Sequence, residues 1–294
     1  MTILCGWLTG GSDTDGGAVV ADMGRALRVN ATQSWGCWSA PGLTVGLLEL
    51  PAPEPAAQLY APATEGDGRY HLWMAGEAFA GNGLISVPHV DHTRTLAFRQ
   101  TLLARLLEHG LDTVADLDGE YQIVFWDAQE RALVIVNDRF GGLPLYWAQS
   151  ARGFAFAGGV RGVLMAPDVR ADPDTEALRE AVTFGGFRLG DRTNVAAVKM
   201  LPGASVMTVR GTSVAIRPYW KWNAIRPVAG YSLADIIETV SSLWRRAVHR
   251  RLHGAKRPGQ TLSGGLDSRA ILAEATPRVP RWTAITYGVP GCDD

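Results

Sequence analysis

The sequence predicts an α+β fold: a β-rich region with helices to about residue 225, then the opening of an α/β domain of parallel sheet. Three observations carry this. Short apolar runs separated by Gly, Pro, Asn and Asp fill the first two-thirds of the 294 residues. A stretch with two prolines, a glycine and no clear period follows at RPYWKWNAIRPVAGYS (217 to 232). Beyond it, a strand, a glycine turn, a helix and a second strand succeed one another, which is the start of a parallel βαβ unit.

The strands are expected at LTVGLLEL (43 to 50), YHLWMAGEAF (70 to 79), EYQIVFWD (120 to 127), RALVIVND (131 to 138) and ASVMTVRG (204 to 211). EYQIVFWD and RALVIVND, joined through Ala128, Gln129 and Glu130, read as a hairpin. Helical periodicity appears at 92 to 110, where Leu96, Leu102, Leu103, Leu106 and Leu107 share one broad face and Gly110 stops the helix. A shorter helix is expected around 173 to 184. The segment 232 to 254 reads as a long amphipathic helix with Ser232 as N-cap and Asp235 near the positive end of its dipole. Its basic C-terminal cluster suits the negative end of that dipole, and a nucleic-acid patch is the alternative. GQTLS, SRAILAEA and WTAITYG complete the second domain as strand, helix and strand.

Composition narrows the function. The formal net charge of −1 gives no overall electrostatic case for nucleic acid or an anionic membrane as partner. Cys5, Cys37 and Cys292 show no metal-ligand spacing and read as thiols of a reducing compartment. No run approaches the roughly 20 apolar residues of a membrane span, and no signal peptide is evident, so a cytoplasmic protein is expected.

The motif of greatest weight is Ser263-Gly264-Gly265-Leu266-Asp267-Ser268, set between a strand and a helix. The glycine pair lets backbone amides approach a polyanion, and the helix start offers unpaired N–H groups and a positive dipole end. Ser263 and Ser268 can donate to phosphate oxygens, and Asp267 can hold Mg²⁺. The Gly-Lys-Ser/Thr ending of a P-loop is missing, which argues against attack at the γ-phosphate.

This string resembles the pyrophosphate loop of the ATP-pyrophosphatase superfamily, and specifically of the asparagine synthetase family. The resemblance implies that a substrate carboxylate attacks the α-phosphate of ATP, and that an amine then displaces AMP from the acyl-adenylate. By the same resemblance Trp282 to Gly288, with Thr286 and Tyr287, would receive adenine, and Asp293 and Asp294 are further metal-side candidates. Upstream, Asp118-Gly119-Glu120, Phe125-Trp126-Asp127, Asp138-Arg139-Phe140-Gly141-Gly142-Leu143-Pro144-Leu145-Tyr146, Phe184-Gly185, Leu201-Pro202-Gly203 and Tyr219-Trp220 resemble, in order, the family's glutaminase-like domain and linker. The implied fold of residues 1–225 is a two-layer antiparallel β-sandwich flanked by helices, of the N-terminal-nucleophile hydrolase type, and 226–294 would open an ATP-pyrophosphatase synthetase domain.

The glutaminase motifs depart from the family pattern. Cys5-Gly6 resembles the family's Cys-Gly start, whose cysteine attacks glutamine with its own α-amine as base. Here four residues precede Cys5. The family's Asn-Gly-Glu stands as Ala75-Gly76-Glu77. Alanine offers no oxyanion donor, a loss that typically costs about 10²–10³ in rate. Ser34-Trp35-Gly36-Cys37-Trp38 and Leu48-Glu49-Leu50 replace other glutamine-site segments, and Asp91 is the candidate acidic residue before the 92–110 helix. Cys5 is therefore expected to be a buried apolar residue in a scaffold without glutaminase activity.

A synthetase of this kind needs another amine. The β-lactam synthetases and lasso-peptide cyclases share that loss. The expected function is an ATP- and Mg²⁺-dependent macrolactam cyclase or similar natural-product amide synthetase, acting on a carboxylate substrate such as a precursor peptide, alongside a peptidase or leader-binding partner. A glutamine-hydrolysing asparagine synthetase is the second reading, and a silent binding remnant the third. The roughly half of a synthetase domain that the family carries downstream is not in this sequence. Truncation, or a second polypeptide supplying the rest, is expected, and a homo-oligomer is a further possibility.

Overall fold

The computed structural model describes residues 2–11, 16–49, 61–80, 96–186, 189–227, 229–252, 255, 258–279 and 281–288. The chain divides into two units, Met1–Val87 with Thr93–Ala224, and Pro88–His92 with Ile225–Asp294.

The first unit holds two six-stranded antiparallel sheets. One contains β1 (Thr2–Thr9), β2 (Ser34–Ala40), β3 (Leu43–Glu49), β8 (Tyr146–Ser150), β9 (Gly153–Ala157) and β10 (Lys199–Met200), in the order β10-β8-β9-β1-β3-β2. The other contains β4 (Ala63–Glu65), β5 (Tyr70–Ala80), β6 (Leu117–Asp127), β7 (Ala132–Asn137), β11 (Ser205–Arg210) and β12 (Ser213–Pro218), in the order β12-β11-β7-β6-β5-β4. Period-2 alternation makes each sheet two-faced. Leu4, Leu8, Val45 and Phe156 of the first sheet meet Trp73, Trp126, Leu133 and Met207 of the second in a shared core.

Each outer face is covered by helix. On the first sheet, Cys5, Trp7 and Leu48 pack against Val20, Met23 and Leu27 of α1 (Gly16–Leu27) and Val163 of the short α3 (Val160–Val163). On the second, Leu72, Met74 and Ile123 pack against Phe98, Leu102, Leu103 and Leu106 of α2 (Leu96–His109). The result is the antiparallel sandwich flanked by helices that the family resemblance implies. Leu107 departs from the expected face: it is exposed, and Phe98 takes the buried place. Gly110 does end α2, with φ of 72° in the left-handed region. Residues 92 to 95 of the expected helix, and Asp91 before it, lie outside the described residues.

The β6–β7 hairpin turns where expected. Asp127 closes it, accepting from the N–H groups of Gln129 and Glu130 at 3.0 Å each and from Arg69 at 3.0 and 2.7 Å. The expected helix at 173–184 is α4 (Thr175–Thr183), capped by Asp174, whose carboxylate accepts from Ala177 N at 3.0 Å.

In the second unit, α5 (Leu233–Leu252) starts at a reciprocal cap. Ser232 Oγ accepts from Asp235 N at 3.2 Å, and Asp235 accepts from Ser232 N at 2.9 Å. β13 (Gly259–Thr261), α6 (Leu266–Ala275) and β14 (Thr283–Ile285) follow. β13 and β14 pair in parallel, Gly259 opposite Thr283 and Thr261 opposite Ile285, so the expected βαβ unit is present.

Candidate functional site

Ser263 to Ser268 form the turn after β13 and the first residues of α6. The strand pairing runs on to Leu262, whose N–H donates to Ile285 O at 2.9 Å, and the chain then leaves the sheet. Gly265 is the N-cap of α6 and supplies no side-chain cap, so the first helical N–H groups are left to other acceptors. The two serines shape the turn. Ser268 Oγ accepts from Ser263 N at 3.2 Å and lies 3.1 Å from Ser263 O and 3.3 Å from Gly265 O as possible acceptors of its single proton. Ser263 Oγ accepts from Gly265 N at 3.2 Å and sits 3.2 Å from Ser268 Oγ.

Ser263, Gly264, Gly265, Leu266 and Asp267 are all exposed. Asp267 stands in the first turn of α6, where a carboxylate is favoured by the dipole. From behind, Gln260 Nε2 donates to Ser268 O at 2.7 Å, and Thr286 Oγ donates to Leu262 O at 2.9 Å. The structure thus joins Ser263, Gly265, Asp267 and Ser268 in one turn and ties Thr286 to its base. Tyr287 projects outward, 80% exposed. Asp293 and Asp294 lie outside the described residues. An open turn with helix-start amides and one carboxylate can take a polyphosphate, with a divalent cation at Asp267.

The geometry around Cys5 is of a different kind. Its neighbours along β1 pair on both sides, Cys5 opposite Gly46 of β3 and Ala157 of β9. Its backbone nitrogen is an amide inside a central strand, and no part of the residue is exposed. Burial drives the thiol's pKa far above its ordinary value, with a smaller push from the Cys37 thiol and a small opposing effect of the Gly46 backbone. The group is held neutral under α1, where a nucleophile would need the thiolate.

Ala75 and Gly76 lie opposite Gln122 and Tyr121 on β6. Ala75 is buried in the core between the sheets. Gly76 has φ of 86°, and a Cβ there would stand 2.1 Å from Glu120 O, so only glycine fits.

The upstream motif residues are structural anchors. Asp138 is fully buried and accepts from Phe140 N at 3.0 Å and Gly142 N at 3.1 Å, folding the 138–145 turn around its carboxylate. Asn137 Nδ2 donates to Pro202 O at 2.8 Å, while its Oδ1 accepts from Ser205 N at 2.9 Å, clamping the Leu201-Pro202-Gly203 segment to β7. Tyr219 donates to Asn137 O at 3.0 Å and meets Tyr121 across 3.3 Å between hydroxyls. Burial raises the pKa of both phenols, so they stay neutral donors.

Sequence reasoning missed one feature of the first unit. A pocket of about 340 Å³ is lined by Thr9, Ser39, Thr44 and Arg131 among others, and Cys5 does not line it. Its residues come from separated segments with no motif spacing to join them.

Two antiparallel sheets between helical layers, with a Cys-Gly pair on the central strand, define the class as a domain of glutamine amidotransferase architecture. The chain belongs to the glutamine amidotransferase domain family, whose model matches residues 1–220. It is 28% identical over 176 residues to asparagine synthetase [glutamine-hydrolyzing] 3 of Bacillus subtilis (strain 168), covering 60% of this chain and 28% of that protein. It is 23% identical over 220 residues to asparagine synthetase [glutamine-hydrolyzing] 2 of the same organism, covering 71% and 30%. A third relative is the amidase chyE of Penicillium rubens, 25% identical over 175 residues, covering 58% and 25%. The chain thus spans less than a third of the length of these relatives. Among solved structures, the glutamine phosphoribosylpyrophosphate amidotransferase of B. subtilis aligns with a TM-score of 0.48 at 9% identity, covering 97% of this chain and 65% of that one. Among the described residues, no helix is long and apolar enough to cross a membrane.

Proposed function

We propose that this chain is the front part of an ATP-dependent amide synthetase in which the glutaminase-type domain (residues 1–225) is a scaffold and residues 226–294 open the ATP-pyrophosphatase domain. A substrate carboxylate oxygen bonds to the α-phosphorus of ATP, and pyrophosphate leaves. An amine then bonds to the acyl carbon and AMP leaves, giving the amide. The Ser263–Ser268 turn would cradle the leaving pyrophosphate through its backbone N–H groups. Asp267 would hold Mg²⁺, which neutralises phosphate charge when bound, and Asp293 and Asp294 are further candidates for it. The backbone and side chains of Thr286 and Tyr287 would border the nucleotide.

The observation that carries the choice of amine is Cys5, sealed in β1 with its nitrogen in a peptide bond. Without ammonia from glutamine, the amine comes from the substrate. We favour a macrolactam cyclase of the lasso-peptide type, acting on a cytoplasmic precursor peptide delivered by a peptidase or leader-binding partner. The curated relatives favour asparagine synthesis as a second reading.

The test uses the full reading frame that contains this chain. Pyrophosphate exchange into ATP should depend on a precursor peptide, should be lost in Asp267→Ala, and should be unchanged in Cys5→Ala. Glutamine- or ammonia-dependent conversion of aspartate to asparagine would sink the cyclase reading. Loss of glutamine use in Cys5→Ala would sink the scaffold.

A further inference from the structure

His71 is a titratable side chain sealed inside the sandwich of the first unit. It stands on β5 and is 7% exposed. Side chains alternate along a strand, so it shares a face with Trp73 and Ala75, which belong to the core between the sheets. Both ring nitrogens are shut off from solvent, and neither has a hydrogen-bond partner among the described residues. A neutral imidazole has one N–H donor and one acceptor, so here both go unpaired.

The surroundings offer nothing to hold a second proton. Opposite His71 stand Thr64 on β4 and Trp126 on β6, and the Trp73 ring stacks on the imidazole at 5.7 Å between centroids and 19° between planes. The indole N–H groups of Trp73 and Trp126 are buried without partners too, so the acceptors an imidazolium would need are missing around it. From the first sheet, β3 turns Leu43, Val45 and Leu47 into the same core. The charged groups on the flanking strands and turns are committed elsewhere. Arg69 and Asp127 bind each other, Arg131 donates to Thr9 O at 2.9 Å, and Glu65, Asp67 and Glu130 are exposed. Burial accordingly pushes the pKa of His71 below its ordinary value, with a weaker opposing pull from the Gly68 backbone.

We propose that His71 is a proton switch built into the sandwich: the packed core admits only the neutral ring, and acid loosens the first unit through this one residue. The unfolded chain takes up the proton near pH 6.5, the folded chain only at lower pH. The stability that depends on a neutral His71 is therefore complete above about pH 6.5 and is lost as pH falls from there through the folded value. That is the range in which an unperturbed imidazole, alone among side chains, changes its charge.

Thermal melting followed by tryptophan fluorescence, from pH 7.5 to pH 5.0, tests this against His71→Phe, whose ring keeps the stack on Trp73. The wild-type melting temperature should fall by at least about 2 °C more than that of the variant across the range. The imidazole Cε1–H resonance of His71, followed by nuclear magnetic resonance, should titrate below pH 6.5 in the folded chain. Melting temperatures that fall in parallel overturn the proposal, and so does a folded-state titration at or above pH 6.5. If His71→Phe does not fold, the wild-type resonance, assigned through the backbone, decides.

Discussion

At Cys5 the thiol and the backbone nitrogen are both committed to the fold, one to the core under α1 and the other to the β1 ladder. A thiol-reactive probe should leave Cys5 unmodified until the chain unfolds, and peptide mapping by mass spectrometry would check this. Asp127 shows the opposite use of environment. The guanidinium of Arg69 and the N–H groups of Glu130 and Gln129 hold its carboxyl below the ordinary range, against a smaller contrary effect of burial. A depressed folded pKa contributes stability that is present above the unfolded value of about 4 and is lost as pH falls through the folded one. Asp127→Asn should therefore lower the melting temperature at pH 7, and the gap from wild type should close as pH drops below about 4. A constant gap between pH 7 and pH 2 would refute that role. Cys5 and Ala75 could be read from the sequence as weak points of a glutaminase site. The same departures lead to the expectation of a buried Cys5, but not to the cover that buries it, α1 folded over the sheet.

Among the elements, legibility tracked periodicity and local chemistry. The β6–β7 hairpin, α2, α4 and α5 announce themselves through alternation, helical spacing or caps. β1, β2, β9 and α1 do not. β1 is buried on both faces, so TILCGWLT shows no alternation. α1 carries glycines at 16, 17 and 24, poor helix formers by propensity. Tertiary packing explains one of them, since a Cβ at Gly24 would stand 2.5 Å from the ring of Trp35. That ring also covers Gly46, where a Cβ would stand 2.1 Å away. The Asn137 clamp belongs to this scale as well. Asn137→Ala would strip partners from Ser205 N–H and from the carbonyls of Leu201 and Pro202, at a cost of about 1–3 kcal/mol. Urea unfolding should show the loss as a lower midpoint with an unchanged slope.

For the whole molecule, the two units differ in how much they bury. The first has a core between its sheets and one beneath each helical layer. In the second, Leu233, Ile236, Ile237, Val240, Leu243 and Trp244 of α5 remain exposed, as does Ile285 of β14, and only Val248 and Ala275 are buried among its described hydrophobic residues. Parallel strands are usually covered on both faces. Amide hydrogen exchange should accordingly be fast across 233–285 and slow in β6 and β7, and equal protection in both would contradict this view. The caps and spacing of α5 were legible in the sequence, but its apolar exposure became so only once its neighbours were placed. The pairing of Thr2, Ile3 and Leu4 with Glu49, Leu48 and Leu47 has a practical side. An enzyme that depends on a free terminal amine is ruined by anything fused ahead of its nucleophile. Here the residues ahead of Cys5 are already a hydrogen-bonded part of the sheet, so trimming the chain back to the cysteine would free its amine only by stripping Leu47, Leu48 and Glu49 of their partners.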